Sequence, residues 1–404
     1  MNLLYIDPGT GSMLFSLVMG ISIVVSFAIK SVILKIKFIF SGGKVKDNSS
    51  EAIPFVIFSD HKRYWNVFEP ICNEFERRKI PLVYYTQSPD DPVLDKKYQY
   101  VNAKFIGEGN KGIVKMNMLN AGTVMSTTPG LDVLQWKRSK NVKKYVHIPH
   151  TVDDLSGYRM FGLDHYDAVL CTGQNQIDLI RKIESLRPNL PAKELKIVGS
   201  PNMDEALLKV KKIQTIKNQV PVVLLAPSWG PSSILNRFGK ELITALLDSG
   251  FHIIVRPHPQ SYTAEKELLE NLKKSFEDVE WNKDNDNLAV MNKSDILITD
   301  FSGIIFDYSF LFGKPVIYAD TNFDTSVYDA DWLDEKMWTL RAAEKIGIKL
   351  EEKEFNNIKT IIQNAINQKD FSQLENVKNE CWQNIGNSAK SIVDYVTGES
   401  NLKI

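Results

Sequence analysis

A chain of 404 residues with 49 basic and 49 acidic side chains carries no overall field that would recruit nucleic acid, and that class of partner is set aside. The length exceeds what one hydrophobic core serves, roughly 250–300 residues, and leaves room for two medium domains. Cys72, Cys171 and Cys381 are odd in number and scattered, without metal-ligand spacing, and fit a reducing compartment.

In chain order, the first feature is Met13–Ile29, an uncharged apolar run at the lower length limit for spanning a hydrocarbon core. Lys30, Lys35, Lys37, Lys44 and Lys46 all follow it, which by the positive-inside bias puts the body on the cytoplasmic side. No positive charge precedes the run and no small-x-small site follows it, which argues against a cleaved signal peptide. It also lacks the polar face of an interfacial helix. The expectation is a single-pass membrane anchor over 1–43, a polar linker over 44–51, and a catalytic body at the cytoplasmic membrane.

From Pro54 onward, strand and helix signals alternate. Pro54–Ser59 reads as a buried strand and Trp65–Arg78 as an amphipathic helix. Pro81–Thr86, Gly122–Ser126, Tyr145–Ile148, Ala168–Cys171 and Lys196–Val198 are short apolar runs bounded by turn residues, the pattern of parallel strands covered on both faces. The basic run Trp136–Lys144 reads as a solvated turn. A lysine-rich stretch, Lys209–Gln219, breaks the pattern. It restarts with strand Pro221–Leu225, helix Ser233–Leu247, strand His252–Arg256, a helix from Ala264, and strands Ile296–Thr299 and Pro315–Tyr318. Phe371–Val396 reads as a long helix interrupted near Gly386. The predicted fold is α/β, with two doubly wound domains facing across a cleft. The first is expected over 52–210 and the second over 211–375, with a terminal helix over 376–404 packing back on the body.

Open α/β sheets bind ligands beyond the carboxyl ends of their strands. Of six histidines, three stand at such ends: His147 and His150 in one half, His258 in the other. A neutral imidazole there can take a proton. His147 fits a packed strand residue better, leaving His150 and His258 as the candidates. Arg256, beside a His258 flanked by prolines, suits a fixed clamp on phosphate oxygens. Thr299-Asp300-Phe301-Ser302-Gly303 joins a strand to a helix, a turn whose backbone N–H groups can face a phosphate. Ser228 and Trp229 follow the first strand of the second half, where the indole could flank a base or plug the core between the halves. The acidic pairs, Asp153-Asp154 among them, read as turn and cap chemistry, and no metal is called for. The phosphate-loop, dinucleotide and serine-elbow signatures do not occur, which lowers ATPase, dehydrogenase and hydrolase readings.

Taken in order, Pro149-His150-Thr151, Gly199–Asp204, Pro227-Ser228-Trp229-Gly230, Arg256-Pro257-His258-Pro259 and Thr299–Gly303 resemble the motifs of the CDP-glycerol:poly(glycerophosphate) glycerophosphotransferases. The resemblance covers residues 140–320 well and continues loosely to about residue 395. It implies two Rossmann-like halves in the GT-B arrangement. It also implies attack of an acceptor hydroxyl on the β-phosphorus of a CDP-activated polyol, with CMP leaving and no cofactor beyond the donor. On that reading His150 removes the proton, Arg256 and His258 steady the pyrophosphate, and Ser302 with the Gly303 helix start holds phosphate oxygens. The partners implied are CDP-glycerol or a similar donor, a membrane-linked glycolipid or polymer acceptor, and the membrane.

The chain departs from the family pattern at four places. Thr151 replaces a glycine, Gly230 an arginine and Gly303 a serine, and the junction segment lacks its arginine. Two other readings therefore stay open. One is a glycosyltransferase of the same architecture, using a nucleotide-sugar in capsule or lipopolysaccharide assembly. The other is a non-catalytic, membrane-anchored binding protein derived from the enzyme. The paired Arg-Pro-His-Pro and Thr-Asp-Phe-Ser motifs favour phosphoryl transfer.

Overall fold

Val56, Ile57 and Phe58 are all fully buried, though consecutive strand residues point to opposite faces. Their strand must therefore be covered on both sides. The structure, a computed structural model, describes residues 52–284, 286–367 and 372–398. The expected anchor over 1–43 lies outside them. Among the described residues no helix is long and apolar enough to cross a membrane.

The first half is built from β1 (Ile53–Ser59), α1 (Trp65–Arg77), β2 (Leu82–Thr86), β3 (Val101–Phe105), α2 (Asn110–Asn117), β4 (Ala121–Ser126), β5 (Val142–His147), β6 (Ala168–Cys171), α3 (Gln174–Leu186), β7 (Glu194–Ile197) and α4 (Pro201–Val210). The strands form one parallel sheet in the order β3-β2-β1-β4-β5-β6-β7. Val56, Phe58, Val124 and Tyr145 face α2 and α3, packing against Met116, Leu179 and Ile180. Ile57, Tyr84, Met125 and Val146 face the other way, onto Phe68, Ile71 and Phe75 of α1. Each such side chain contributes about 1.5–3 kcal/mol by leaving water.

The second half comprises β8 (Val222–Leu225), α5 (Ile234–Asp248), β9 (His252–Val255), α6 (Ser261–Ala264), α7 (Lys266–Ser275), β10 (Glu280–Trp281), α8 (Leu288–Lys293), β11 (Ile296–Thr299), α9 (Ile304–Phe312), β12 (Val316–Ala319), α10 (Trp338–Ile346), β13 (Ile348–Leu350) and α11 (Ile358–Asn367). Its parallel sheet runs β10-β9-β8-β11-β12-β13, the dinucleotide-fold order. In both sheets the order reverses beside the first strand, between β1 and β4 and between β8 and β11. Those two switch points are where a doubly wound sheet opens a crevice.

The long terminal helix expected from the sequence is two, α12 (Leu374–Cys381) and α13 (Ser388–Thr397), separated at Gly386, whose φ is 80°. Trp382 and Cys381 pack into the second half, whereas Ile392 and Val393 join the core under α1 of the first. Asp204 of α4 accepts from Trp382 Nε1 at 3.3 Å and Ser388 N at 3.2 Å, fixing that return. A second strap follows β12. Arg187, just past α3, donates to Asp164 at 2.7 Å and also to Asp329, while Asp154 accepts from Trp338 N at 3.1 Å and Thr339 Oγ1 at 2.8 Å.

Candidate active site

The chain leaves β5 at His147 and turns through Ile148-Pro149 to His150. His147 is fully buried, its Nε2 lies 3.0 Å from Tyr158 Oη, and burial drives its pKa down to about 3. It is a packed, neutral strand residue. His150 lies one turn further out, edge-on to Tyr64 at 5.0 Å between ring centroids and stacked on Tyr158. Asn202, at the start of α4, donates to its carbonyl at 3.3 Å.

The second half presents His258 from the turn after β9. Trp229 stacks on it at 6.3 Å, and the Gln260 N–H donates to its Nδ1 at 3.1 Å. A neutral imidazole whose Nδ1 accepts carries its proton on Nε2, so His258 has an N–H donor at that atom. Trp229 is 38 % exposed, which removes it from the core between the halves.

His258, from the second half, lies near enough to His150 to add to the depression of its pKa. Burial lowers both to a pKa of about 4, and the guanidinium of Arg63 adds to the depression in both cases. Arg63 stands in the turn after β1, 5.1 Å over the Tyr64 ring, and is exposed. A cation near two neutral imidazoles, at the carboxyl ends of strands from opposite halves, can attract an anionic ligand.

In the Thr299–Gly303 turn, two of the expected phosphate ligands are occupied with the protein itself. Thr299 Oγ1 donates to the Ala226 carbonyl at 2.8 Å. Asp300 accepts the Ser228 N–H at 2.8 Å and the Ile234 N–H at 2.9 Å; burial raises it to about 6 while those backbone contacts oppose the rise. Asp300 thus clamps the Ser228 turn and the first turn of α5 onto β11. Arg256 is likewise committed, its guanidinium donating to Asn282 Oδ1 and, at 2.6 Å, to the Asp284 carbonyl. Ser302 and Gly303 remain half-exposed at the start of α9.

A model of the CDP-glycerol:poly(glycerophosphate) glycerophosphotransferases matches residues 163–396, more than half of the chain. The chain belongs to this family. It is a CDP-glycerol glycerophosphotransferase-like transferase. The match contains His258, Arg256 and the Thr299–Gly303 turn, and begins after His150 and Arg63. Among solved structures, the wall teichoic acid polymerase TagF soaked with CDPG is 14% identical with a TM-score of 0.58, covering 93% of this chain and 98% of that one. TagF in another structure is 16% identical with a TM-score of 0.55, over 93% and 97% of the two chains. A Listeria monocytogenes protein assigned as a UDP-N-acetylglucosamine 2-epimerase follows at 12% identity and a TM-score of 0.53, over 87% and 98%. These likenesses establish the α/β fold of two parallel-sheet domains. A search of curated proteins by sequence finds no match.

At position 230, where the sequence resemblance led one to expect an arginine, glycine has a plain local cause. Its φ is 91°, which disfavours a side chain, and its N–H donates to Glu265 Oε1 at 2.8 Å. Three site residues escape sequence reading. Arg63 and Tyr64 follow β1 in a polar run, Ser59–Arg63, directly after a buried strand; that abrupt change was the available signal. Asp153 is the third. Read as a turn residue, it instead lies against α9, its Oδ1 buried without a partner among the described residues. Burial and the neighbouring Asp154 raise its pKa to about 8, while Asp307 of α9 is raised by burial to about 7.

Proposed function

We propose that this transferase moves a glycerol-phosphate, or related polyol-phosphate, unit from a CDP-activated donor to an acceptor hydroxyl in teichoic-acid-type polymer synthesis, releasing CMP. The observation that carries the reading is the pair His150 and His258 at strand ends of opposite halves, packed on Tyr158 and Trp229 respectively, with the Arg63 guanidinium near both. The donor pyrophosphate lies between His258 and the start of α9. His258 Nε2–H, Ser302 and the α9 N–H groups meet its oxygens, and Ser228 and Trp229 flank the nucleotide. Thr299, Asp300 and Arg256 hold these turns in shape.

The acceptor oxygen attacks the β-phosphorus, and its proton passes to the neutral imidazole of His150. The new P–O bond forms as the bond from the β-phosphorus to the bridging oxygen breaks, and CMP leaves with that electron pair. An imidazole depressed to about pKa 4 is a weak base. The anionic donor offsets Arg63 and raises that basicity when it binds, so the base is strongest when the donor is in place. On this reading the acceptor is a membrane-linked polymer or glycolipid. Met13–Ile29 tethers the body to the cytoplasmic face of the membrane, where nucleotide-activated donors are made.

The test is a donor screen. Incubated with CDP-glycerol, CDP-ribitol and UDP-sugars, the purified chain is expected to release CMP from a CDP-polyol. Release of UDP from a UDP-sugar would instead identify a glycosyltransferase, and nucleotide affinity without turnover a binding protein.

A further inference from the structure

Gly303 is not required by its backbone. With φ −60° and ψ −12° it is ordinary right-handed helix, which any residue adopts. What it lacks is space. A side-chain carbon placed on it would lie 3.0 Å from Asp153 Oδ2 and 3.1 Å from Thr151 Oγ1. Both of those residues belong to the first half, so the opposite domain fills the room where the first atom of a 303 side chain would stand.

Thr151 is placed firmly enough to do this. Gln176, fully buried in the first turn of α3, donates from Nε2 to the Thr151 carbonyl at 3.0 Å and the Asp153 carbonyl at 2.8 Å. That bidentate grip fixes the short segment 151–153 against the α9 start. The Thr151 hydroxyl hydrogen-bonds the Asp153 carboxyl, whose Oδ1 has no partner among the described residues; with Asp153 protonated, the carboxyl donates to Thr151 Oγ1 and leaves the Thr151 O–H for an anion. Raised to about 8, Asp153 keeps its proton near neutral pH and does not repel an anion at the same helix start. Thr151 and Gly303 are also two of the positions at which the chain departs from its family pattern. The structure brings positions 151 and 303 into contact.

We infer that Thr151 and Gly303 are a matched pair, in which Thr151 supplies across the cleft the phosphate-binding hydroxyl that position 303 does not carry. The ligand atom is an oxygen of the donor pyrophosphate, so the inference rests on the reading that the 299–303 turn seats the donor. Its consequence is that donor binding joins the two halves directly, with one ligand contributed by each side of the seam.

A double-mutant cycle read by calorimetry with CDP-glycerol tests it. Thr151→Val, which keeps the shape and removes the hydroxyl, is expected to weaken affinity about three- to tenfold, whereas Thr151→Ser stays within about twofold. Gly303→Ser alone weakens affinity by crowding Thr151 and Asp153. Thr151→Gly combined with Gly303→Ser recovers most of the loss, because hydroxyl and space have changed sides together. Gly303→Ala, relieved by Thr151→Gly, serves if the serine variant unfolds. Wild-type affinity in Thr151→Val, or losses in the double variant that multiply, overturns the inference while leaving the donor site standing. An unaltered chain that binds neither CDP-glycerol nor CDP removes the donor site and this inference with it.

Discussion

The two halves repeat one strand order but treat their switch points differently. In the second half the crevice between β8 and β11 is wired shut from within: Asp300 holds two backbone N–H groups, Thr299 holds the Ala226 carbonyl, and Arg256 secures the β10 edge. In the first half, beside the matching crevice between β1 and β4, lie polar atoms without partners among the described residues, among them Thr127 Oγ1 and, beyond β5, His150 Nδ1. Asp60 lies there too, its pKa raised by burial against the opposing pull of Arg63 and Thr128. A wired crevice presents a fixed set of backbone donors to a ligand of constant shape. An open one offers hydrogen bonds that the ligand completes. That division suits a nucleotide donor on one side and a chemically plain hydroxyl acceptor on the other.

The contrast can be broken most forcefully at His150. His150→Ala is expected to lower turnover by roughly 10²–10⁴-fold while calorimetric affinity for the CDP donor stays within a few-fold. Near-normal turnover would leave the open half with no chemical role. Next in size is Asp300→Ala. It strands two buried N–H groups, and urea denaturation should show about 2–4 kcal/mol of lost stability, with donor binding falling alongside. Unchanged stability would mean that the wiring of the second half is not what holds it.

Asp153 sharpens the comparison through pH. Its pKa is raised from near 4 in an unfolded chain to about 8 in the fold, so the folded protein holds an extra proton between those values. Stability from this group is therefore full below about pH 4 and is lost as pH rises toward 8. Asp153→Asn should flatten that decline and make the variant the more stable by on the order of 1–3 kcal/mol at pH 8.5. A parallel pair of stability–pH curves would count against a protonated Asp153. The smallest effect is expected at Thr127→Val. Its hydroxyl has no partner to lose, so stability should stay within about 0.5 kcal/mol. The acceptor KM should rise a few-fold if the open crevice receives the acceptor, and should not move if it does not.

How far the sequence carried depended on burial. The central strands of both sheets were legible because residues such as Val223, Leu224 and Leu225 are apolar on both faces. The strands that escaped are all at sheet edges: β3, β10 and β13. The run Val101–Phe105 is mostly exposed, and β10 and β13 have only two and three residues, too few to show any period. Around the site, chain position was readable and side-chain direction was not. His150, His258, Arg256, Thr299 and Asp300 all stand at strand ends. Whether a side chain turns to the crevice or to a neighbouring backbone is decided by partners such as Asn282 and Ile234, which lie far along the chain. Arg63 and Asp153 stayed hidden for the same reason, since their meaning arises only when the halves meet.

The return of α13 to the first half bears on how the protein is made. Ile392 and Val393 complete the core around Phe68 and Ile71, yet they are synthesised after both sheets. As the chain emerges from the ribosome, the first half can form its strands and α1 but has part of its apolar cover missing. Until residues 388–397 arrive, that face is open to wrong partners, so the nascent protein is most exposed to aggregation, and most in need of chaperones, in the interval between the making of its two sheets and the emergence of α13.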